Sequence, residues 1–304
     1  MSNNNPNPLL CDPETGVCEM PQTAPTGTAG IIPTTKPVKV IYYTDPICSS
    51  CWGIEPQLRK LKLEYGAYID IDYRMGGLLP DWSYNSGGIS KPADVAHHWD
   101  EVSLYYEMPI DGDVWLEDPL DSSYPACIAL KAAQMQDKAK AVTFMRILRE
   151  KLFLDKQNIA KWPAIAQAAT EAGLDAQQLK TDFEGPAKKL FEEDLAYGRT
   201  LGVRGFPTLF FSDGKDIKNT VYGSKPYEQF EQALLAVYPQ AKKTAFNNTT
   251  PLALFNVFPS LTAKEYAVIL ETGVNDAKTT LEKACNDGLL TKQTIKTGTM
   301  YRKK

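Results

Sequence analysis

Cys48 and Cys51 stand as Cys-Ser-Ser-Cys between the apolar run Val38-Lys39-Val40-Ile41-Tyr42-Tyr43 and a segment carrying Ile54, Leu58, Leu61 and Tyr65 at helical spacing. A strand, then two thiols, then a helix is the order these residues impose. A helix N-terminus presents unsatisfied N–H groups and about half a unit of positive charge, so a thiolate seated there is stabilised over the thiol. Cysteines in such motifs ionise at roughly pH 3.5 to 7.5 instead of about 8.5, which suits them to thiol–disulfide exchange.

The same spacing also serves as half of a zinc site. Completing one is hard here, because the chain has only two histidines, the adjacent His97 and His98, and no second Cys-x-x-Cys. The redox reading is therefore preferred, and no cofactor or metal is expected. Pro56, five residues past Cys51, is expected to kink the helix rather than end it. Far along the chain, Val203-Arg204-Gly205-Phe206-Pro207-Thr208-Leu209-Phe210-Phe211 places a glycine and a proline before a strand-like apolar run. Alone, Pro207 reads as an ordinary trans proline at a strand entry. Beside a distant Cys-x-x-Cys it fits a cis bond, since cis peptides are essentially confined to X-Pro.

These stretches, Asp45-Pro46-Ile47-Cys48-Ser49-Ser50-Cys51-Trp52-Gly53 with Pro56 and Val203 to Thr208, resemble the thioredoxin fold and within it the DsbA and FrnE-like branch. The resemblance implies that Cys48 attacks, that Cys51 resolves, and that Pro207 is a cis-proline whose loop faces the disulfide. It implies protein substrates bearing disulfides or thiols, met by the backbone of Phe206 and by Ser49, Ser50 and Trp52. Local packing is the plainer role for Phe206, and core for Trp52. No histidine lies between the two cysteines to stabilise a thiolate further. The couple is accordingly expected to be less oxidising than DsbA at roughly −120 mV and nearer to thioredoxin at roughly −270 mV.

The 304 residues, 43% hydrophobic and 23% charged, suffice for a real core with extra parts. A net charge of −4 argues against a general nucleic-acid binder. No apolar run reaches the roughly 20 residues of a membrane span, so no membrane partner is expected. The start, Met1-Ser2-Asn3-Asn4-Asn5-Pro6-Asn7-Pro8, lacks the basic and apolar regions of a secretion signal, and a cytoplasmic location is expected. In a reducing compartment cysteines serve catalysis, sensing or burial more often than structural disulfides.

Residues 1–36 are rich in Asn, Pro and Thr and read as a flexible tail. The tail holds Cys11 and Cys18, a pair that can close a small loop, feed electrons to Cys48, bind a metal with borrowed ligands, or stay idle. Residues 37–78 and 200–240 carry a β-α-β start (Tyr68 to Tyr73 alternating), strands at Thr208–Phe211 and Asn219–Tyr222, and a helix with Tyr227, Phe230, Leu234 and Val237 on one face. Residues 79–199 form a helical insertion, with helices near 92–107, 124–136, 139–153, 158–172 and 175–197. Within it Cys127 reads as a small buried residue, and His97 and His98 as structural or surface groups. The fold class is thus α/β: a thioredoxin fold with a large α-helical insertion.

Residues 250–304 read as a separate, small winged-helix-like unit: a helix over Leu261–Glu271, a turn, a helix over Asn275–Asp287 and a hairpin over Leu289–Tyr301 turning at Thr297-Gly298. Lys278 and Lys283 on the second helix are outnumbered by Asp276, Glu282 and Asp287, which favours a protein over a DNA partner. This layout, with Asp45 to Gly66 and the stretch from Gly112 to Ser123, resembles the YjbH or SpxH family of ClpXP adaptors, cytoplasmic DsbA-like proteins that present a stress regulator to the protease. That family tends to have a zinc-binding N-terminus rich in His and Cys; this chain keeps Cys11 and Cys18 there without a histidine.

Overall fold

A computed structural model describes residues 35–83, 89–246, 250 and 252–304; Cys11 and Cys18 lie outside the described residues. Strand β1 (Val38–Thr44) leads through the cysteine loop to helices α1 (Ser49–Gly53) and α2 (Glu55–Tyr65), then to β2 (Ile69–Met75), which pairs parallel to β1. The sequence predicts one kinked helix; instead it breaks for one residue at Ile54. Pro56 is the second residue of α2 and has no N–H to give to the preceding turn. Bonds from Ile54 N–H to the Ser50 carbonyl (3.2 Å) and from Leu58 N–H to the Ile54 carbonyl (3.0 Å) keep the two helices joined.

The insertion runs α3 (Pro92–Tyr106), α4 (Val114–Glu117), α5 (Tyr124–Gln136), α6 (Lys138–Phe153), α7 (Trp162–Glu171), α8 (Ala176–Glu184) and α9 (Ala187–Thr200). Helix α5 starts as Pro125 in its first turn demands. The single helix expected over 175–197 is two, α8 and α9, because Gly185 and Pro186 sit at its centre, one costing backbone entropy and the other removing a donor.

The chain returns as β3 (Thr208–Ser212), β4 (Ile217–Tyr222) and α10 (Tyr227–Val237), giving a sheet of order β2-β1-β3-β4 with β3 antiparallel to both neighbours. Every residue of β3 is buried, as a strand covered on both faces must be, whereas edge strand β4 buries only Val221. The core continues from this sheet into the insertion through Trp52, Trp99, Phe144, Leu148 and Phe153.

The C-terminal residues form β5 (Ser260–Thr262), α11 (Ala263–Leu270), α12 (Val274–Asn286), β6 (Leu290–Ile295) and β7 (Gly298–Lys303), with sheet order β5-β7-β6. Leu261, expected to open a helix, lies instead in β5, because Thr262 caps α11: its hydroxyl accepts the Glu265 N–H while Glu265 accepts the Thr262 N–H. Leu254, Leu261, Ile269, Leu281 and Tyr301 give these elements their own apolar cluster. The same elements also pack on the rest of residues 33–304. Arg59 of α2 donates to the Ser260 carbonyl (2.6 Å), and the β6–β7 tip is pinned to the insertion, where Thr297 Oγ1 donates to the Ile110 carbonyl (2.8 Å). Among the described residues no helix is long and apolar enough to cross a membrane.

Candidate active site

The site grows out of the end of β1. Asp45 follows it, and its buried carboxylate accepts from Ile47 N–H (2.9 Å), Leu78 N–H (2.7 Å), the Ser123 hydroxyl (2.9 Å) and the Cys127 thiol (3.2 Å). The first bond is the Asx-turn that an Asp-Pro pair promotes. Together the four tie the cysteine loop to the start of the insertion and to α5. Burial pushes the Asp45 carboxyl up, against the pull of the N–H groups of Leu78 and Ile47. Cys127 is buried, as the sequence suggests, and burial with the adjacent Asp45 charge pushes its thiol well up, which leaves it inert.

Cys48 is the N-cap of α1, disulfide-bonded to Cys51 with Cα atoms 5.2 Å apart. Its Sγ also accepts the Cys51 N–H at 3.1 Å, the helix-end donation that would hold a thiolate after reduction. Cys48 keeps 3% of its surface and Cys51 none, so an incoming sulfur reaches Cys48 first. Ser49 and Ser50 are half-buried at the rim, and Ser50 Oγ lies 2.9 Å from the Tyr106 hydroxyl of α3. The Tyr106 ring packs so close to Gly53 that an added Cβ would stand 2.5 Å from it.

The Phe206–Pro207 peptide bond is cis. Tyr43 pairs with Thr208, so Pro207 sits at the sheet end from which the cysteine loop leaves. The Phe206 ring lies over Gly76, where a Cβ would come within 1.8 Å of it; only glycine fits. That ring is half-buried against Gly76, and the residue's backbone carries the cis bond to Pro207. Trp52 is fully buried, its indole N–H given to the Pro109 carbonyl (3.1 Å) and its ring stacked near Phe153. With no exposed surface it braces α1 from inside.

Two residues escaped the sequence reading. Arg149 of α6 is fully buried and donates to Glu55 (2.6 Å), to Thr44 Oγ1 (2.7 Å) and to the Asp45 carbonyl (3.2 Å), locking the end of β1 to the start of α2. Burial alone would raise the Glu55 carboxyl, but Arg149, Arg59 and Arg146 hold it below the usual range. Arg146, one turn earlier, lies over the Trp52 ring at 4.2 Å and grips Glu265 of α11 through two N–H groups. On an amphipathic helix neither arginine carries any signal of burial. His97 is exposed beside Glu101, and among the described residues no cluster of His, Cys, Asp and Glu is placed to hold a metal ion.

Comparison with known proteins matches residues 42–232 to the Thioredoxin family. The chain is 33% identical to the ClpXP adapter protein SpxH of Halalkalibacterium halodurans over 97% of both chains, and 28% identical to SpxH of Bacillus subtilis over 82% of this chain and 83% of that one. Among solved structures it superposes on a putative protein disulfide isomerase from Nitrosomonas europaea with a TM-score of 0.58 and 22% identity, covering 67% of this chain and 98% of the other. A probable DsbA oxidoreductase from Streptomyces coelicolor gives a TM-score of 0.52 at 16% identity, over 70% and 94%. These structural likenesses establish a thioredoxin fold of the DsbA-like kind.

Proposed function

Since the chain belongs to the thioredoxin family and, within it, to the SpxH family of ClpXP adapters, we propose that it is a cytoplasmic adapter presenting a regulator protein to the ClpXP protease. The observation that carries this reading is the extent of the match, 97% of both chains, which takes in the C-terminal elements beyond the thioredoxin-like residues 42–232. A winged-helix-like unit seated on a thioredoxin body offers a composite docking surface, and α12, whose Lys278 and Lys283 are matched by Asp276 and Glu282, has no basic excess to draw nucleic acid and suits a protein partner.

The test is degradation. In cells of the source organism, removing the protein should stabilise at least one short-lived, ClpP-dependent protein, and adding the purified chain to purified ClpXP should restore that protein's breakdown. If ClpXP degrades every candidate equally well with and without the chain, the adapter reading is wrong.

A second activity on the same body is favoured by the geometry at Cys48: an N-cap sulfur with an N–H aimed at it, a cis X-Pro bond at the same sheet end, and a partner cysteine out of reach of solvent. In the reduced form the Cys48 thiolate attacks a substrate disulfide and expels one substrate thiolate. Cys51 then attacks the Cys48 sulfur, expels the second, and leaves the intramolecular disulfide. The substrate gains the two electrons that the protein loses. Cys51→Ser should trap protein adducts that dithiothreitol releases, and Cys48→Ser should trap none. Partner degradation that persists in the double variant would make the dithiol dispensable for the adapter function.

A further inference from the structure

The β6–β7 tip grips a loop of the insertion that also holds the dithiol helix. Two-residue hairpin turns favour glycine, asparagine or aspartate, yet this one is Lys296-Thr297, and both side chains are spent on the insertion. Thr297 Oγ1 donates to the Ile110 carbonyl (2.8 Å) and accepts the Ile110 N–H (3.1 Å). Lys296 reaches Asp100 (2.8 Å), Asp113 (2.7 Å) and Asp111 (3.4 Å). Gly298 lies so near Pro109 that an added Cβ would stand 3.1 Å from the proline's own.

Pro109 and Ile110 are bonded on the dithiol side as well. The Pro109 carbonyl accepts the Trp52 indole N–H (3.1 Å), and the Ile110 N–H is shared with Ser103 Oγ (3.1 Å) of α3, the helix whose last residue, Tyr106, meets Ser50. Trp52 follows Cys51, and its backbone N–H goes to the Cys48 carbonyl (3.1 Å). Arg146, which lies over the Trp52 ring, grips Glu265 of α11, so the C-terminal elements reach this one indole by two routes. Cys51, Trp52 and Ile110 have no exposed surface, and Pro109 is buried. An interior packed this closely transmits displacement. Reduction breaks a covalent bond inside it, and Cys51 has no solvent beside it to take up the change.

We infer that Thr297 is a positioning residue of the dithiol: acting through Ile110, Pro109 and Trp52 it favours the Cys48–Cys51 disulfide, which makes the C-terminal elements part of the exchange site. The sign follows from the structure, in which the disulfide and the tip contact stand together. Linkage makes the effect reciprocal, so reduction weakens the tip contact by the factor by which loss of that contact favours reduction. The path leaves the cis-proline loop aside. The inference deepens the reading of Cys48 as an exchanging thiol and rests on it for its use, while the coupling is measurable without any polypeptide substrate.

The test equilibrates the full chain with glutathione: the disulfide form and two glutathione thiols give the dithiol form and one glutathione disulfide. The fractions at Cys48 and Cys51 are read by differential alkylation and peptide mass. Thr297→Val keeps the branched shape and removes the hydroxyl, and it should raise the equilibrium constant for reduction at least about threefold, within the worth of the bonds lost. Thr294→Val, which removes an exposed hydroxyl that meets only Thr299 of the same hairpin, should leave the constant within that factor. In the unaltered chain, amide exchange over residues 294–299 should be at least about threefold faster in the dithiol form than in the disulfide form, as reciprocity requires. That measurement serves if Thr297→Val does not fold.

A smaller rise with Thr297→Val, a rise of that size with Thr294→Val as well, or a tip whose exchange quickens less than this on reduction overturns the inference. Failure of the exchange reading looks different. Cys51→Ser then traps no polypeptide, while glutathione still sets the equilibrium at Cys48 and Cys51 and the shift is measured as before.

Discussion

The cysteine loop and the junction between α2, α6 and the C-terminal elements both lean on arginines of α6, yet they are held by different means. Around the loop most contacts are neutral: an N–H group on sulfur, a tyrosine on a serine, indoles on one another, with the buried Asp45 carboxyl and the buried Arg149 guanidinium, which donates to the Asp45 carbonyl, as charged groups that touch it. At the junction Arg59, Arg146 and Arg302 interleave with Glu55, Glu150 and Glu265, and Glu265 is fully buried. Buried ion networks fix geometry more dependably than they add net stability. The difference teaches a division of labour. At the loop a backbone N–H is given to the Cys48 sulfur, and at the junction side-chain charges seat the C-terminal elements on α2 and α6. Arg146 stands in both regions, over Trp52 on one side and on Glu265 on the other.

Removing one member of the network should break that contrast most severely. Glu265→Ala leaves Arg59 and Arg146 facing each other without their shared acid and strips the Thr262 N–H of its acceptor. Uncompensated buried charge costs about 3–5 kcal/mol. Chemical denaturation should show a loss of that size, and hydrogen exchange should accelerate first in residues 260–303. A loss under about 1 kcal/mol would mean that the apolar cluster alone seats the unit.

Acid acts on the same junction. Burial would raise the Glu150 carboxyl, but Arg146, Arg302 and the Ser260 hydroxyl bring it down to about 2, against an ordinary 4.5. Its folded pKa is depressed, so its contribution is present above the unfolded value and is lost as pH falls from about 4.5 towards 2. At 1.36 kcal/mol per unit this is on the order of 3 kcal/mol. Stability measured against pH should decline across that window, and Glu150→Gln should flatten the decline. A slope that survives the substitution would assign the acid sensitivity to other carboxylates.

The two regions also differed in how far the sequence disclosed them. The strand Val38–Tyr43, the thiols and the first turn of α5 around Pro125 are local signals, each resting on residues within a few positions, whereas Pro207 reads as a cis candidate only beside the distant thiols; the structure has an element at each of the former and a cis bond at the latter. The junction is non-local: Arg146 and Glu265 are 119 residues apart, and helical periodicity gives a buried arginine the same pattern as a surface one. Asp45 shows both cases. Its bond to Ile47 is readable from Asp-Pro, while its bond to Cys127, 82 residues on, is not. Helix α4 and strand β5 are too short for any period to register, although Thr262 and Glu265 spell a legible capping box. The Gly185-Pro186 break is equally local, two adjacent residues that each disfavour a helix interior.

A smaller effect is expected at the loop, where packing rather than charge is disturbed. Gly76→Ala forces a Cβ into the Phe206 ring, and overpacking of this kind costs about 1–3 kcal/mol. Because Phe206 carries Pro207, the exchange rate at Cys48 should fall with the displaced loop while the C-terminal unit keeps its hydrogen-exchange protection. Equal loosening of both regions would show that they are not mechanically distinct.

The smallest effect sharpens the comparison by repeating the junction's chemistry in water. Lys283 of α12 and Asp287, the residue that follows the helix, form an ion pair at 2.6 Å with i,i+4 spacing, but their side chains are 74% and 48% exposed. Solvent screens the charges, and two flexible side chains must be ordered to meet. The order of the residues is also the weaker one, with the acid at the helix C-terminus, where the backbone dipole repels it. Lys283→Ala should therefore cost no more than about 0.5 kcal/mol, and raising the salt concentration should erase most of that. The same salt should leave the Glu265→Ala loss nearly unchanged, since buried pairs are screened much less. If both losses shrink together, water reaches the junction, and its charges hold the C-terminal unit no more firmly than a surface pair does.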